Sequence, residues 1–318
     1  MVMHHAMPTS RSTILTCLAM LAFAGNSVLC RLALKHTSID ASSFTAIRLL
    51  SGAAALYLIL AIRKRLLDRA DLKPQSKHQP KHFLAGSWTS ALALFAYAAC
   101  FSFAYQGLTT ATGALILFGS VQSAMIGYSL YQGERLSTRQ LGGLTLALGG
   151  LVALLLPGLS APPWHAATLM ICAGVAWAVY TLRGGRKTDT QNDDDPTSIT
   201  AANFLRAAPL SALLVLVTLD TLQLDGPGIF YAVLSGALAS GVGYAIWYQV
   251  LPNLKTTSAA TVQLSVPVIA AVAAVILLGE PITARLAVTA TAILGGIALV
   301  ISTKKRPPSE PQRAKQSL

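Results

Sequence analysis

Between Thr109-Thr110 and Gly133-Glu134 runs an apolar stretch centred on Ala114-Leu115-Ile116-Leu117-Phe118-Gly119-Ser120-Val121, with no charged side chain from residue 110 to residue 131. As a helix it covers about 33 Å at ~1.5 Å per residue, enough for a hydrocarbon core of ~30 Å. The same construction returns between Thr256-Thr257 and Gly279-Glu280. A helix follows each copy, one holding Gly149-Gly150 and the other Gly295-Gly296, so the glycine-glutamate and the glycine pair both recur at a spacing of 146 residues. Upstream, Tyr105-Gln106 and Tyr248-Gln249 occupy corresponding helix ends.

Reading outward from this pair, ten apolar stretches can be marked, at 13–30, 43–62, 84–105, 110–131, 141–157, 164–182, 199–219, 227–250, 257–278 and 284–302. The composition agrees: 53% of the 318 residues are hydrophobic and 11% charged, against ~25% charged in soluble domains. Five spans per half is an odd number, so the second half enters the membrane inverted relative to the first. The expected fold is all-α and integral to the membrane, with ten transmembrane helices as two inverted five-helix repeats, 13–157 and 164–302. The junction is the uncharged, proline-bounded segment 157–163, and the tail 303–318, rich in proline and charge, reads as disordered. Arg11, the first apolar run and Ala22-Phe23-Ala24 resemble a cleavable signal peptide; the counterpart of span 1 in span 6 argues for retention.

A net charge of +12 would point to nucleic acid in a soluble protein, but here nineteen basic residues flank the spans on one side and three, Arg31, Lys35 and Arg285, on the other. The positive-inside rule then places both termini in the cytoplasm of a cell whose inner membrane holds the chain. Anionic lipid is the expected partner of these charges, and nucleic acid is not. Cys17, Cys30, Cys100 and Cys172 lack metal-ligand spacing and read as small packing residues.

At Phe44-Thr45-Ala46-Ile47-Arg48-Leu49-Leu50, at the two glycine-glutamate turns and at Pro267 inside span 9, the chain resembles the EamA-type transporters of the drug/metabolite transporter superfamily. The resemblance covers about 13–302. It implies helices around a central cavity, alternating access by rocking of the halves, peripheral spans 5 and 10, and small metabolites, amino acids or toxic compounds as substrates.

Candidate substrate contacts are the polar and aromatic groups within spans. In span 8, Ala232, Gly236, Ser240, Tyr244 and Tyr248 recur every fourth residue and share one slowly drifting face. Small residues there serve close helix packing, while Tyr244, with Trp177 and Tyr180 of span 6 and Phe101 and Tyr105 of span 3, forms either a cavity wall or packing. Trp247 and Tyr248 are wall residues or interfacial anchors. The amides Asn26, Gln122, Asn203 and Gln263 each need a partner in an apolar setting and read as interhelical hydrogen-bonding groups, with substrate contact the alternative for Asn26 and Gln263. Pro267 kinks span 9, with a carbonyl freed beside Gln263 as the functional alternative.

Arg48 and Arg206 stand within spans near helix starts, either snorkelling to an interface or facing inward to attract an anion such as a substrate carboxylate. Glu134 and Glu280 read as turn residues, with Ser137, Gln140 and Thr283 capping the following helices. No nucleophile with a base, carboxylate pair, metal cluster or phosphate-binding loop is placed for chemistry, so no enzyme activity and no cofactor is expected. The expected function is secondary transport of a small organic metabolite, an amino acid or related amphiphile, in the export direction, by a monomer or homodimer. Exchange of phosphorylated or nucleotide sugars, or a non-transporting sensor or assembly partner, is the alternative. With no titratable acid inside the spans, transport is expected to run on the substrate gradient or exchange, without obligatory proton movement.

Overall fold

The computed structural model describes residues 9–69, 86–133, 137–156, 161–184, 195–251 and 262–302. Among these residues every regular element is helical: α1 (Thr9–His36), α2 (Ala41–Arg69), α3 (Trp88–Tyr105), α4 (Thr110–Tyr131), α5 (Thr138–Leu155), α6 (Trp164–Gly184), α7 (Pro196–Val217), a short 3-10 helix (Leu219–Thr221), α8 (Gly226–Leu234), a π-helical segment (Ser235–Val242), α9 (Gly243–Val250), α10 (Ser265–Leu278) and α11 (Ala284–Ser302). The π segment joins α8 and α9 into one continuous rod. Among the described residues eight helices are long and apolar enough to cross a membrane, and two shorter apolar helices, Ser265–Leu278 and Ala284–Val300, follow them. Large apolar side chains such as Leu58, Leu216, Ile276 and Val288 point outward, as in a protein solvated by lipid.

Local chemistry explains the helix ends. Thr109 caps α4 by accepting from Thr112 N, and Ser137 with Gln140 forms a capping box on α5. Gly133 and Gly279 follow α4 and α10 with φ of +87° and +62°, the left-handed conformation that closes a helix and favours glycine, which accounts for the recurring glycine in the two turns. The Asp40 carboxylate starts α2, accepting from Ser42 N at 3.0 Å and Ser43 N at 2.9 Å, while its second oxygen takes Gln223 N at 3.0 Å. Burial opposes ionisation, but these bonds, with that from the Ser42 hydroxyl, hold the carboxyl below its ordinary range.

Two boundaries differ from expectation. Helix α1 runs past residue 30 to His36, because Arg31, counted above among the loop charges, finds partners within the protein. Residues 262 and 263 are helical, a turn at Leu264 interrupts them, and helix α10 begins at Ser265, so Pro267 stands in the first turn after the interruption, where its missing N–H costs α10 no bond of its own. Residues 252–261 lie outside the described ones. Of the cysteines only Cys30 is buried; Cys17 and Cys172 face outward and Cys100 is half-buried.

The packing is reciprocal. Helix α1 lies against α8, the π segment, α9 and α10, whereas α6 lies against α3 and α4. Helix α2 pairs with α7 and the π segment, and α5 pairs with α11. The α5–α11 crossing is made by glycine: a Cβ on Gly143 would stand 2.6 Å from the Gly296 carbonyl, and one on Gly296 would stand 2.5 Å from the Gly143 carbonyl. Gly149 and Gly295 meet nothing within 4 Å, whereas their neighbours face the crossing: Gly296 as above, and Gly150, where a Cβ would stand 3.0 Å from the Ala292 Cβ.

Candidate functional site

Seven aromatic residues singled out in the sequence, Phe101, Tyr105, Trp177, Tyr180, Tyr244, Trp247 and Tyr248, are all buried and belong to one connected cluster. Trp177 of α6 is its hub, 4.9 Å between ring centroids from both Tyr97 and Tyr244 and 5.7 Å from Tyr180. Phe101 carries the chain on to Tyr105 at 4.7 Å, and Tyr180 carries it to Tyr248 at 6.4 Å. Trp247 and Tyr248 are enclosed by protein, not placed as interfacial anchors. The period-four stripe of Ala232, Gly236, Ser240, Tyr244 and Tyr248 is buried along its length.

At the heart of the cluster, Phe23, Asn26 and Ser27 of α1, Tyr97 and Phe101 of α3, Leu117 and Phe118 of α4, Trp177 and Tyr244 surround a space with room for about one water. Phe23, which contacts Trp177, Tyr244 and Trp247, and Tyr97 are among the lining residues that reading the sequence missed, with Ser27, Leu117 and Phe118. Both carried a signal: Phe23 precedes Asn26 and Ser27 by three and four positions, and Tyr97, Phe101 and Tyr105 repeat every fourth residue, the same-face spacings of a helix.

A chain of polar groups runs along one side of this space. The Ser235 hydroxyl donates to Asn26 Oδ1 at 2.7 Å, Asn26 Nδ2 donates to the Tyr97 hydroxyl at 3.2 Å, and Arg48 Nη2 donates to the same hydroxyl at 3.2 Å. Arg48 Nε donates to Ser240 Oγ at 3.1 Å, and the guanidinium lies 5.2 and 5.0 Å from the ring centroids of Tyr97 and Phe101. Arg48 is 1% exposed, which removes the snorkelling alternative: its head points to the protein centre. Its Nη1 and the Tyr244 hydroxyl have no hydrogen-bond partner.

The π segment makes this arrangement possible. A Cβ on Gly236 would fall 2.1 Å from the Arg48 carbonyl oxygen and 2.0 Å from Ser51 Oγ, so only glycine lets the π segment lie this close to α2. Wide π turns of this kind recur at functional sites.

At one end of the cluster Arg31 and Glu280 form a second polar group. Arg31 Nε lies 3.1 Å from Glu280 Oε1, and Arg31 Nη1 donates to the carbonyls of Tyr105 at 2.8 Å and Gln106 at 3.4 Å. Glu280 Oε2 accepts from Thr110 N at 2.7 Å. Glu280 is therefore more than a turn residue, since it ties α1, the α3–α4 turn and the end of α10 together. Thr283 does cap α11, accepting from Leu286 N at 3.2 Å. Glu134 lies outside the described residues.

Other residues read as candidates stand apart. Arg206 of α7 is half-buried near Tyr57 of α2, away from Arg48. Gln263 and Pro267 are buried but do not line the central space. Asn203 accepts from Ser87 N at 3.0 Å, whereas Gln122, expected to find a partner, leaves its Nε2 without one. Among the described residues no three His, Cys, Asp or Glu side chains come together as a metal site.

The model of the EamA-like transporter family matches residues 10–156 and again 164–302. The chain belongs to the EamA-like transporter family. An uncharacterized protein of Pseudomonas aeruginosa is 51% identical over 298 residues, 94% of this chain and 97% of that one. A probable amino-acid metabolite efflux pump of Salmonella typhimurium is 28% identical over 177 residues, 52% of this chain and 58% of that one. A protein crystal structure aligns with 91% of this chain and 97% of its own at a TM-score of 0.64 and 18% identity, a likeness of fold. EamA-like membership makes the chain a multi-pass membrane transporter of the drug/metabolite type, not an enzyme, embedded in lipid and handling a small molecule.

Proposed function

We propose that this EamA-like transporter is a secondary carrier that moves a small organic metabolite, an amino acid or related amphiphile, out of the cell by alternating access. The observation that carries the reading is the central space itself, walled by aromatic rings from α1, α3, α6 and the span-8 rod, and edged by a polar chain in which both halves take part. An apolar wall with a few oriented polar groups is the chemistry of a site for a small amphiphile. The space holds about one water, so loading requires the rings to part.

Two inverted five-helix repeats, 13–157 and 164–302, with ten membrane crossings, account for the packing. Exchanging α1 with α6, α2 with α7, α3 with the α8–α9 rod, α4 with α10 and α5 with α11 maps the main contacts onto one another. Rocking of two such halves about the central site would open it to one side and then the other. Both termini lie in the cytoplasm on this reading, which puts the Arg31–Glu280 contact at the outer end. The Salmonella relative's name supports amino-acid metabolites and efflux.

The test is counterflow in proteoliposomes: labelled amino acids should accumulate transiently against an excess of the unlabelled compound inside. Liposomes showing no protein-dependent counterflow for any amino acid or amino-acid-derived amphiphile would overturn the proposal.

A further inference from the structure

Arg48 is a cation enclosed by protein, 1% exposed, and among the described residues no carboxylate pairs with it. Its compensation is neutral: one hydroxyl from Ser240, one from Tyr97, and the faces of Tyr97 and Phe101. An arginine at mid-membrane costs at least about 2.5–3.5 kcal/mol, and such charges usually pair with an opposite charge or with backbone carbonyls. Arg31 illustrates the usual solution, with Glu280 against its guanidinium. Arg48 instead keeps Nη1 without a partner beside the rings that wall the central space.

We infer that Arg48 is the anion-binding group of the central site and that the substrate enters carboxylate first. The inference rests on the proposed carrier reading and names its substrate class. Tyr97 is the bridge between the cation and the space: its hydroxyl already accepts from both Asn26 and Arg48, which leaves its own proton for an acceptor. A carboxylate at this point takes one bond from Arg48 Nη1 and one from the Tyr97 hydroxyl. The single unpaired guanidinium selects a single negative charge. A phosphate monoester carries nearly two, and the second would be stranded in an apolar wall. The rest of the ligand meets Phe23, Trp177 and Tyr244, rings that accommodate an apolar body and whose faces attract an ammonium group.

The experiment uses the purified full-length protein in detergent and reads thermal stabilisation by the twenty standard amino acids, their primary amides and the matching amines lacking the carboxyl group. At least one amino acid should stabilise the wild type, with its amide and amine weaker by tenfold or more, the effect of one charge-assisted hydrogen bond. Arg48→Gln should abolish the preference for acid over amide, and Arg48→Lys should retain it at reduced affinity, because ammonium keeps the charge but not the fork. Amides binding as well as acids would overturn the inference, as would a panel in which no carboxylate stabilises the protein. Should Arg48→Gln fail to fold, the acid-to-amide comparison on the wild type still decides. Acid-selective binding without counterflow would sink the carrier reading and leave the Arg48 assignment; counterflow indifferent to the carboxylate would do the reverse.

Discussion

Arg31 and Glu280, 249 residues apart in the chain, meet at 3.1 Å where the first helix passes the turn that closes α10. The contact is largely shielded, with side-chain exposures of 11% and 13%, and each partner also bonds the backbone at the α3–α4 turn. Breaking it releases three segments at once.

Glu280→Gln should therefore loosen that end of the bundle while the fold persists, because the amide still accepts from Thr110 N but loses the charge facing Arg31. In proteoliposomes the variant should alter the rate of flux, and an imposed pH difference at fixed membrane potential should drive no uphill accumulation in wild type or variant. Uphill accumulation by the wild type that Glu280→Gln abolishes, with exchange spared, would make Glu280 a proton-coupling group.

The α5–α11 crossing predicts unequal tolerance among its glycines. Gly143→Val and Gly296→Val should lower the thermal midpoint markedly, since overpacking costs about 1–3 kcal/mol and here the obstacle is backbone. Gly149→Ala and Gly295→Ala should leave the midpoint unchanged or raise it, because nothing lies within 4 Å and alanine is the better helix former. Equal losses in all four variants would mean that the helices cross elsewhere.

Asp40 predicts a pH dependence of definite sign. Its folded-state pKa is depressed, so its contribution to stability is fully present above the unfolded value of about 3.9 and is lost as pH falls through the lower folded value. Asp40→Asn should melt below the wild type at neutral pH, and the gap between them should close in acid. A gap that widens on acidification would contradict the hydrogen-bond account of the α1–α2 turn.

The proposed orientation can be checked in a background without Cys17, Cys30, Cys100 and Cys172. A cysteine at Gly226, at the start of α8, should react with a membrane-impermeant thiol reagent added to intact cells. One at Arg65, exposed near the end of α2, should react only after permeabilisation. The opposite pattern would invert the topology and with it the side on which Arg31 meets Glu280.

Composition and periodicity determined much of this protein. Long uncharged runs dictate membrane-spanning helices, because a backbone in hydrocarbon must satisfy its own hydrogen bonds. The fourfold spacing in span 8 marked a face that is indeed buried, and seven aromatic residues chosen from the sequence fell into one cluster. What a helix's own sequence does not contain is the identity of the helix its face will meet. Ser235 reaches Asn26 across 209 residues and Arg48 reaches Ser240 across 192, so only the packed structure could show that Arg48 turns inward, that Arg31 is a buried partner of Glu280, and that Tyr97 joins the polar chain to the aromatic wall.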